Sequence, residues 1–373
     1  MATASSDSLT LSSSTFAKLS PHPYLLANLQ PPDPSTTPSS RTNGRQPRQA
    51  RPPQINTGSL SHAHGSAVVR TGDTTVICGV RGETLLASNI PNYRVPTSSD
   101  HEDADADDDA REGGGGGGRG GRRRRSSEEL REYDLIVPNV ELATGCAPNF
   151  LPGVPPTALA QTLSTRAYSL LHSARLLDAE DLRIYYDPSS EAAPATGEEE
   201  AEEEEGEEDV YGALKKEVKA YWVLYIDVLF ISFDGNPFDA AWAAIVAALR
   251  DTKLPSAYWD PDNEMVLCRR GKPNPLHISG LPVACTSAVF TAKEKQRERK
   301  GKGSDFWILV DPDRFEEGLC DESLTMVVDC EEGGETKLLG LSKGGGMVVG
   351  PMIVRKYLEV AESRWKEFKA AMP

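Results

Sequence analysis

Hydrophobic and polar positions along the chain predict strands that alternate with helices. Ser66–Arg70 and Thr74–Val80 are rich in β-branched residues and flank a Gly-Asp corner, which predicts an antiparallel hairpin. Ala220–Phe233 is apolar on both faces, and this predicts a central strand covered by helices on each side. Thr157–Leu177 carries apolar residues at helical spacing, with Thr157 available as the N-cap.

The second half of the chain repeats this order of strand and helix. Asn236-Pro237 supplies an N-cap and a proline at the first helical position, and Leu254-Pro255 ends that helix. A last helix is expected from Pro351 to about Ala371. Two strand-then-helix units with hairpins predict an α/β (α+β) fold with mixed sheets. Further strands are expected at Tyr133–Leu142, Leu182–Tyr186, Met265–Cys268, Pro282–Thr291, Phe306–Val310, Leu324–Asp329 and Leu338–Ser342.

Three polar, biased segments interrupt the pattern and decide the domain prediction. They cover about residues 98–128, 188–210 and 293–304. Because such segments bury little apolar surface, we expect them to be disordered insertions within one domain spanning residues 57–372. Residues 1–56 are expected to form an N-terminal extension, with a short helix near Phe16–Leu29 followed by a linker rich in proline, serine and arginine.

The net charge of −16 at first argues against contact with nucleic acid. However, the segment from Glu191 to Asp209 holds eleven acidic residues and no basic one, so the charge says little about the folded surface. The six cysteines form no Cys-x-x-Cys pair, which favours free thiols in a reducing compartment over a zinc site or a disulfide framework. Without a signal-like or membrane-spanning apolar run, we expect an intracellular protein that has no membrane partner.

Four blocks of the sequence resemble the RNase PH family, the phosphorolytic 3′-to-5′ exoribonucleases and their relatives. They are the hairpin region Gly58–Glu83, the strand–Asp-Gly–helix element Ile231–Leu249, the run Leu309–Glu317 with the strand after it, and Gly344–Met347 with the closing helix. The resemblance implies an RNase PH-like fold. The Asp-Pro-x-x-x-Glu-Glu and Gly-Asn-Pro forms are similar to those of catalytically inactive ring subunits of the eukaryotic RNA exosome. The Phe16–Leu29 element resembles one particular ring subunit.

Residues expected to carry the chemistry are degenerate. Active members of the family place a Gly-(Ser/Thr)-Arg after the Asp-Gly turn to bind phosphate at a helix N-terminus. Here the turn reads Gly235-Asn-Pro, which has no arginine and one amide fewer, and Asp239 would repel phosphate. The resemblance puts Asp311 and Glu317 where active members place catalytic aspartates. Because the phosphate site is degenerate, we nevertheless expect no catalytic residue, and we treat Asp234, Asp311 and Glu317 as remnants of a catalytic site.

A structural interpretation of the carboxylates remains open, and other candidate residues fit a site poorly. Asp311 could simply form a strand-end Asp-Pro turn, with Glu316-Glu317 solvated or ion-paired. Where active members carry arginines on the first large helix, the nearest match here is Ser169-Leu-Leu-His172, and Arg166 and Arg175 fall out of register and are poor substitutes. His62 and His64 fit a turn better than a metal site, so we expect neither a metal nor another cofactor.

Several arginines are candidates for RNA contact. Arg70 and Arg81 lie on the predicted hairpin, which the resemblance places near the central channel of a ring. Gly113–Arg125 resembles an arginine–glycine RNA-binding tract, although Asp100–Asp109 could neutralise it. The candidates are Arg70, Arg81, Arg122, Arg123, Arg124 and Arg125.

The resemblance implies a non-catalytic structural subunit of the exosome core ring. Such a subunit would support 3′-to-5′ RNA processing and degradation, including rRNA maturation and mRNA turnover, by ring assembly and RNA threading. Expected partners are RNase PH-like subunits paired as heterodimers in a six-membered ring, cap subunits with OB and KH folds, an associated nuclease, and RNA. The expected locations are the nucleus, including the nucleolus, and the cytoplasm. The alternatives are an active phosphate-dependent exoribonuclease and a free-standing RNA-binding adaptor that uses the Gly/Arg tract.

Overall fold

The structure is a computed structural model that describes residues 12–31, 38–91, 93–94, 126–153, 155–186, 216–269, 271, 273–292, 306–330, 335–346 and 351–372. Its strands are β1 (Pro53–Thr57), β2 (Gly65–Thr71), β3 (Thr74–Leu86), β4 (Ile136–Leu142), β5 (Arg183–Tyr186), β6 (Glu217–Ser232), β7 (Lys253–Leu254), β8 (Ala257–Asp260), β9 (Met265–Cys268), β10 (Asn274–Pro275), β11 (Val283–Thr291), β12 (Phe306–Val310), β13 (Glu322–Cys330) and β14 (Thr336–Gly344). Its helices are α1 (Ser13–Leu19), α2 (Pro21–Leu29), α3 (126–132), α4 (Ala158–Ala174), α5 (Pro237–Asp251), α6 (Arg314–Glu317) and α7 (Pro351–Ala371).

Two larger sheets contain most of these strands. The large sheet has the order β1-β2-β3-β6-β4, and β5 also pairs with β6. Only β4 runs parallel to its neighbour in this sheet, so the sheet is mixed, as the sequence predicts. The small sheet has the antiparallel order β12-β11-β13-β14, and two short ribbons pair β7 with β10 and β8 with β9. This arrangement confirms the predicted α/β (α+β) class.

Helix α5 lies between the two sheets and forms the centre of the core. It packs against β2 and β3 on one side and against β11 on the other. Every residue from Phe238 to Leu249 is buried, because a helix that is apolar all round needs neighbours on every face. The indole of Trp242 donates to the carbonyl of Pro282 at 2.9 Å and so fixes the helix to the small sheet. None of the described helices is long and apolar enough to cross a membrane.

The predicted hairpin is present, and β6 occupies the predicted central position. β2 and β3 meet at Thr71 and Thr74, and β6 lies between β3 and β4. The expected helical cover on both faces of β6 is correct only for its first half. From Asp227 onwards alternate side chains are exposed, including Leu229 at 37% and Ile231 at 47%. There α5 covers the inner face, and no described element covers the outer one.

Residues 38–52, which we predicted as part of a linker, instead pack against the domain. Arg41 and Arg51 are both buried, because each pairs with a carboxylate near the end of β12. The N-terminal helices are also docked, since α2 buries three leucines against Phe290 and Leu309. A side chain that is buried and paired cannot move as a linker does, so these residues belong to the folded unit.

The described chain resumes inside the first predicted insertion. Residues 126–132 are helical, and the buried hydroxyl of Ser126 donates to Asp178 Oδ1 at 2.7 Å and accepts from the amide of Ala179 at 2.6 Å. The rest of that insertion and the whole of the other two lie outside the described residues, so the predicted domain bounds stay a prediction. The predicted N-cap Thr157 is confirmed, because its side chain accepts from the amide of Ala160.

Candidate functional site

The Asp-Gly turn between β6 and α5 lies directly against the turn between β12 and α6. Gly235 has φ +76°, and a Cβ there would lie 2.5 to 2.6 Å from backbone atoms of Pro312, Asp313 and Arg314. Only glycine accommodates both this conformation and this approach. The hydroxyl of Thr74 donates to the carbonyl of Gly235 at 3.1 Å and holds the turn from the hairpin side. The close contact brings the predicted remnants Asp234, Asp311 and Glu317 into one site.

Asn236 does not cap α5 with its side chain, which corrects our prediction. Its φ is +49°, whereas an N-cap residue normally has extended backbone that directs its side chain to the first-turn amides. Its Nδ2 instead donates to Asp239 at 2.9 Å and to Asp311 at 2.8 Å. Because Pro237 has no amide hydrogen, the backbone amide of Asn236 is the donor nearest the start of this helix.

The side chain of Glu317 accepts a hydrogen bond from that donor. The amide of Asn236 donates to Glu317 Oε1 at 2.7 Å. Burial raises the pKa of Glu317 to about 7, although this amide and the charge of Arg51 act in the opposite direction. An oxygen of the chain's own side chain thus occupies the N-terminus of α5, where the partial positive charge of a helix favours an anion.

Asp311 is fixed by an arginine of the N-terminal segment. Arg51 donates from Nε to Oδ2 at 2.7 Å and from Nη2 to Oδ1 at 2.8 Å, and its backbone amide also donates to Oδ2. Burial raises the pKa of Asp311, but the hydrogen bonds and charge of Arg51 outweigh it and bring the pKa down to about 2. Asp311 is therefore ionised at neutral pH and has no proton to donate.

The same arginine reaches the third remnant. Nη1 of Arg51 lies 3.4 Å from Asp234 Oδ2, and the Asp234 side chain is 41% exposed. Burial raises the pKa of Asp234, and the nearby Arg51 lowers it. Asp234 and Asp311 are thus bridged by one guanidinium.

Glu316, which could have been solvated, is buried and ion-paired. Arg41 donates to both of its carboxylate oxygens, from Nε at 2.7 Å and from Nη2. Arg41 also donates to the carbonyl of Val310 at 2.6 Å and to that of Asp311 at 3.1 Å. A further arginine, Arg45, lies 3.3 Å from Asp311 Oδ2. The site is therefore a cluster of carboxylates neutralised from within the chain.

Our sequence interpretation missed Arg41, Arg45 and Arg51. A usable signal is present, because residues 34–72 contain no aspartate or glutamate. Arginines in such a stretch have to find carboxylates elsewhere in the chain if they are to be buried. That signal identifies the arginines but not their partners, which lie about 260 residues further along the chain.

Asp239 lies inside the protein and does not face the mouth of the site. Its carboxylate accepts from the amide of Thr286 at 2.8 Å and from the hydroxyl of Thr286 at 2.6 Å. Burial raises the pKa of Asp239, and the hydrogen bonds from Thr286 and Asn236 lower it. Asp239 therefore fixes the first turn of α5 to β11.

Arg166 reaches the site, although the sequence places it out of register. Its guanidinium lies 3.9 Å from the ring centre of Phe238, which is the second residue of α5. It lines a cavity of about 320 Å³ together with Glu317, Asp321 and Glu322. Arg175, in contrast, ends α4 in a left-handed conformation with φ +50°. The one arginine in this cavity is therefore accompanied by three carboxylates among the described residues.

The candidate RNA-binding arginines lie apart from this site, on the outer face of the large sheet. Arg70 is 3.9 Å from Asp73, and Arg81 is 3.2 Å from Glu83 and stacks over Tyr225 at 5.7 Å. Their role in RNA contact stays a prediction, and Arg122, Arg123, Arg124 and Arg125 lie outside the described residues. In the described part of the chain no group of three metal-binding side chains is found.

Comparison with known proteins places the chain in a family. The model of the 3′ exoribonuclease family, domain 1 (RNase PH), matches residues 49–108 and 117–255, more than half of the chain. The exosome complex component rrp43 of Schizosaccharomyces pombe is 28% identical over 358 residues, which cover 96% of this chain and 97% of the relative. The exosome complex component Rrp42 of Methanothermobacter thermautotrophicus is 27% identical over 305 residues, which cover 82% of this chain and 79% of the relative.

The solved structures agree at the level of the fold. A chain of the Archaeoglobus fulgidus exosome with RNA bound to the active site superposes with a TM-score of 0.57 at 20% identity, over 94% of this chain and 97% of that chain. The rrp43 relative is also the ring subunit that the Phe16–Leu29 element resembles. These findings confirm the family and the fold that the sequence predicts. The chain belongs to the RNase PH family of 3′ exoribonucleases.

Proposed function

We propose that this chain is a non-catalytic structural subunit of the RNA exosome core ring. The relatives with the names rrp43 and Rrp42 are exosome components, and the match to the first covers nearly the full length of both chains. One observation carries the non-catalytic part of the proposal. Glu317 occupies the amide at the N-terminus of α5, where an active relative would bind phosphate.

Electrostatics also oppose phosphorolysis at this site. A phosphate ion would have to displace Glu317 and approach the ionised Asp311, which lies on the other side of Asn236. No arginine follows Gly235 to compensate, and Arg51 is already committed to Asp311. Asp311 cannot act as a general acid because its pKa is about 2. The site therefore lacks the anion binding that the reaction needs, and Asp311 supplies no proton.

The outer face of the large sheet supports a role in assembly. Val68, Ile77 and Leu229 are directly opposite one another on three adjacent strands, and Ile231 extends this apolar row. Leu229 and Ile231 are more than a third exposed. Permanent subunit interfaces usually bury about 2,000 Å² or more and are apolar. We infer that other RNase PH-like subunits of the ring bind on this face.

Further parts of the proposal concern partners and location. A ring subunit of this kind would help to pass RNA to a separate nuclease, below cap subunits with OB and KH folds. Arg70 and Arg81 flank the apolar row and would contact the RNA backbone near the channel. The complex would act in the nucleus, including the nucleolus, and in the cytoplasm. Fractionation of cells with antibodies to this chain tests the location.

The catalytic part is tested with the full chain, alone and with its ring partners. Each preparation is incubated with uniformly labelled RNA and inorganic phosphate, and released nucleoside diphosphates are measured by thin-layer chromatography. We expect no release above that of a control without protein. Phosphate-dependent release that disappears in Asp311→Asn would overturn the proposal and indicate an active exoribonuclease.

A further inference from the structure

Strand β12 leaves an open edge on the small sheet. Among the described strands, it pairs only with β11. Just beyond this pairing, the amide of Asp311 donates to the carbonyl of Thr286. Because hydrogen-bonding directions alternate along a strand, Phe306, Ile308 and Val310 direct their backbone groups away from β11. This edge is therefore a row of donors and acceptors on which another strand could pair.

One end of the edge already receives an extended segment of the chain. The amide of Val310 donates to the carbonyl of Pro47 at 3.0 Å, and the carbonyl of Val310 accepts from Arg41. Within the described residues, the backbone groups of Ile308 have no such partner. The pairing that begins at Pro47 thus stops after a single position, although the edge continues to Phe306.

A cavity of about 440 Å³ continues along this edge. It is lined by Gln46–Arg48, Phe306–Ile308 and Lys356 of α7. Its apolar surface comes from the aromatic and aliphatic side chains of β12, and Phe306 is 40% exposed. Its charged groups are Arg48 and Lys356, and no carboxylate is found among the described residues that line it. The groove therefore combines a free strand edge, an apolar floor and two cations.

We propose that this groove binds an extended acidic segment of a partner protein, which adds to β12 as a further strand. Hydrogen bonds to Ile308 would supply affinity, as in other cases of strand addition. Alternate side chains of the segment would contact Phe306 and Ile308, and the acidic ones would pair with Arg48 and Lys356. The two cations favour an acidic segment because no carboxylate among the described residues that line the groove offsets their charge.

A protein segment fits the groove better than RNA does. The unpaired amide and carbonyl of Ile308 match a peptide backbone at the 4.7 to 4.9 Å spacing of neighbouring strands. RNA would use the two cations but would leave these backbone groups without partners. The inference goes beyond the proposed ring function, because the groove lies on the small sheet and the proposed ring contact lies on the large one.

The test uses the full-length chain and two fluorescein-labelled heptapeptides, Glu-Val-Glu-Val-Glu-Val-Glu and Lys-Val-Lys-Val-Lys-Val-Lys. Binding is followed by fluorescence anisotropy. Ile308→Pro removes the outward amide and leaves the bonds to β11 intact, because proline is tolerated where an edge-strand amide faces outwards. We expect the Glu-Val peptide to bind the natural chain at least tenfold more tightly than the Lys-Val peptide, and Ile308→Pro to lose at least tenfold in affinity.

A charge-reversed variant keeps the test decisive if Ile308→Pro fails to fold. Arg48→Glu with Lys356→Glu changes only exposed side chains and should reverse the preference, so that the Lys-Val peptide binds more tightly. Equal binding of both peptides, or no effect of the reversal, overturns the proposal. So does binding of a ten-nucleotide oligouridine at this site in place of the Glu-Val peptide, which would assign the groove to RNA. Self-association that the reversal abolishes in sedimentation would assign it to a second copy of the chain.

Discussion

The carboxylate site and the outer face of the large sheet differ in how many of their side chains find partners within the chain. At the site, Asp311 has both oxygens bound by Arg51, and Glu316 has both bound by Arg41. On the sheet face, Leu229 and Ile231 are more than a third exposed, and no described helix or strand packs over them. The carboxylates of Asp311 and Glu316 find their partners within the chain, although Arg45 Nη2 and Asn236 Oδ1 have no hydrogen-bond partner among the described residues, whereas the apolar side chains of the sheet face are left uncovered.

This difference indicates where the chain interacts with other molecules. A binding site for phosphate needs uncommitted donors, and here Asn236 and Arg51 are committed to carboxylates of the chain. An apolar row on a sheet gains free energy when another surface removes it from water. We infer that the sheet face binds other subunits and that the ion pairs of the carboxylate site stabilise the fold.

The largest expected effect comes from breaking an ion pair of the carboxylate site. Arg41→Met leaves the buried carboxylate of Glu316 with only the amide of Asp313 at 3.0 Å and Arg45 at 3.9 Å, and we expect it to lower the free energy of unfolding by about 3 kcal/mol. Urea unfolding followed by circular dichroism measures this change. Arg131→Met, at an exposed position of α3, serves as the matched control and should change the free energy by no more than about 0.5 kcal/mol.

A double variant separates the charge from the packing. Arg41→Met with Glu316→Leu replaces the whole pair by apolar side chains and should recover most of the lost stability. If the single variant were as stable as the natural chain, Arg41 would not hold Glu316, and the contrast with the sheet face would fail.

The next effect depends on pH. Because the pKa of Glu317 is raised to about 7 in the folded chain, the folded state holds this proton more tightly than the unfolded state does. Stability is then present in full below the unfolded pKa of about 4.3 and is lost as the pH rises to about 7. Glu317→Gln keeps an oxygen for the Asn236 amide but cannot titrate.

Unfolding of the two chains in urea between pH 4.5 and pH 8 measures this loss. The natural chain should lose about 2 kcal/mol relative to Glu317→Gln across that interval, after allowance for partial exposure. Glu132→Gln, at an exposed position of α3, should follow the natural chain at every pH. Parallel curves for the natural chain and Glu317→Gln would show that Glu317 is not held in a proton-binding environment.

The sequence predicts the elements of the fold better than the contacts of the site. The helical spacing of apolar residues identifies α4, an unbroken apolar run identifies β6, and Asn236-Pro237 before an apolar run identifies α5. The proposed loss of the phosphate site also follows from the sequence, since Gly235-Asn-Pro lacks an arginine. The partners of Arg41 and Arg51 are not visible, because pairing over about 260 residues leaves no local pattern.

Asn236 shows why the details of the site escape such predictions. Asn before proline at the start of an apolar helix is the usual pattern of an N-cap. The carboxylates of Asp239 and Asp311 compete for the same side chain, and they bind it in a left-handed conformation. Tertiary contacts override the local preference here. In the second half of β6, likewise, the outer face stays uncovered because no described element packs over it.

The smallest expected effect on stability tests the exposed region. Leu229→Ser with Ile231→Ser should lower the free energy of unfolding by only about 1 kcal/mol, because both side chains are only partly buried in the isolated chain. The same variant should fail to copurify with RNase PH-like ring partners on size exclusion, since it removes the apolar row that we propose they cover. Leu338→Ser with Leu341→Ser, on β14 of the small sheet, is the matched control, with exposures of 48% and 51%. If the control pair lost assembly and the Leu229 pair kept it, the ring contact would lie on the small sheet, and the large sheet would be exposed for another reason.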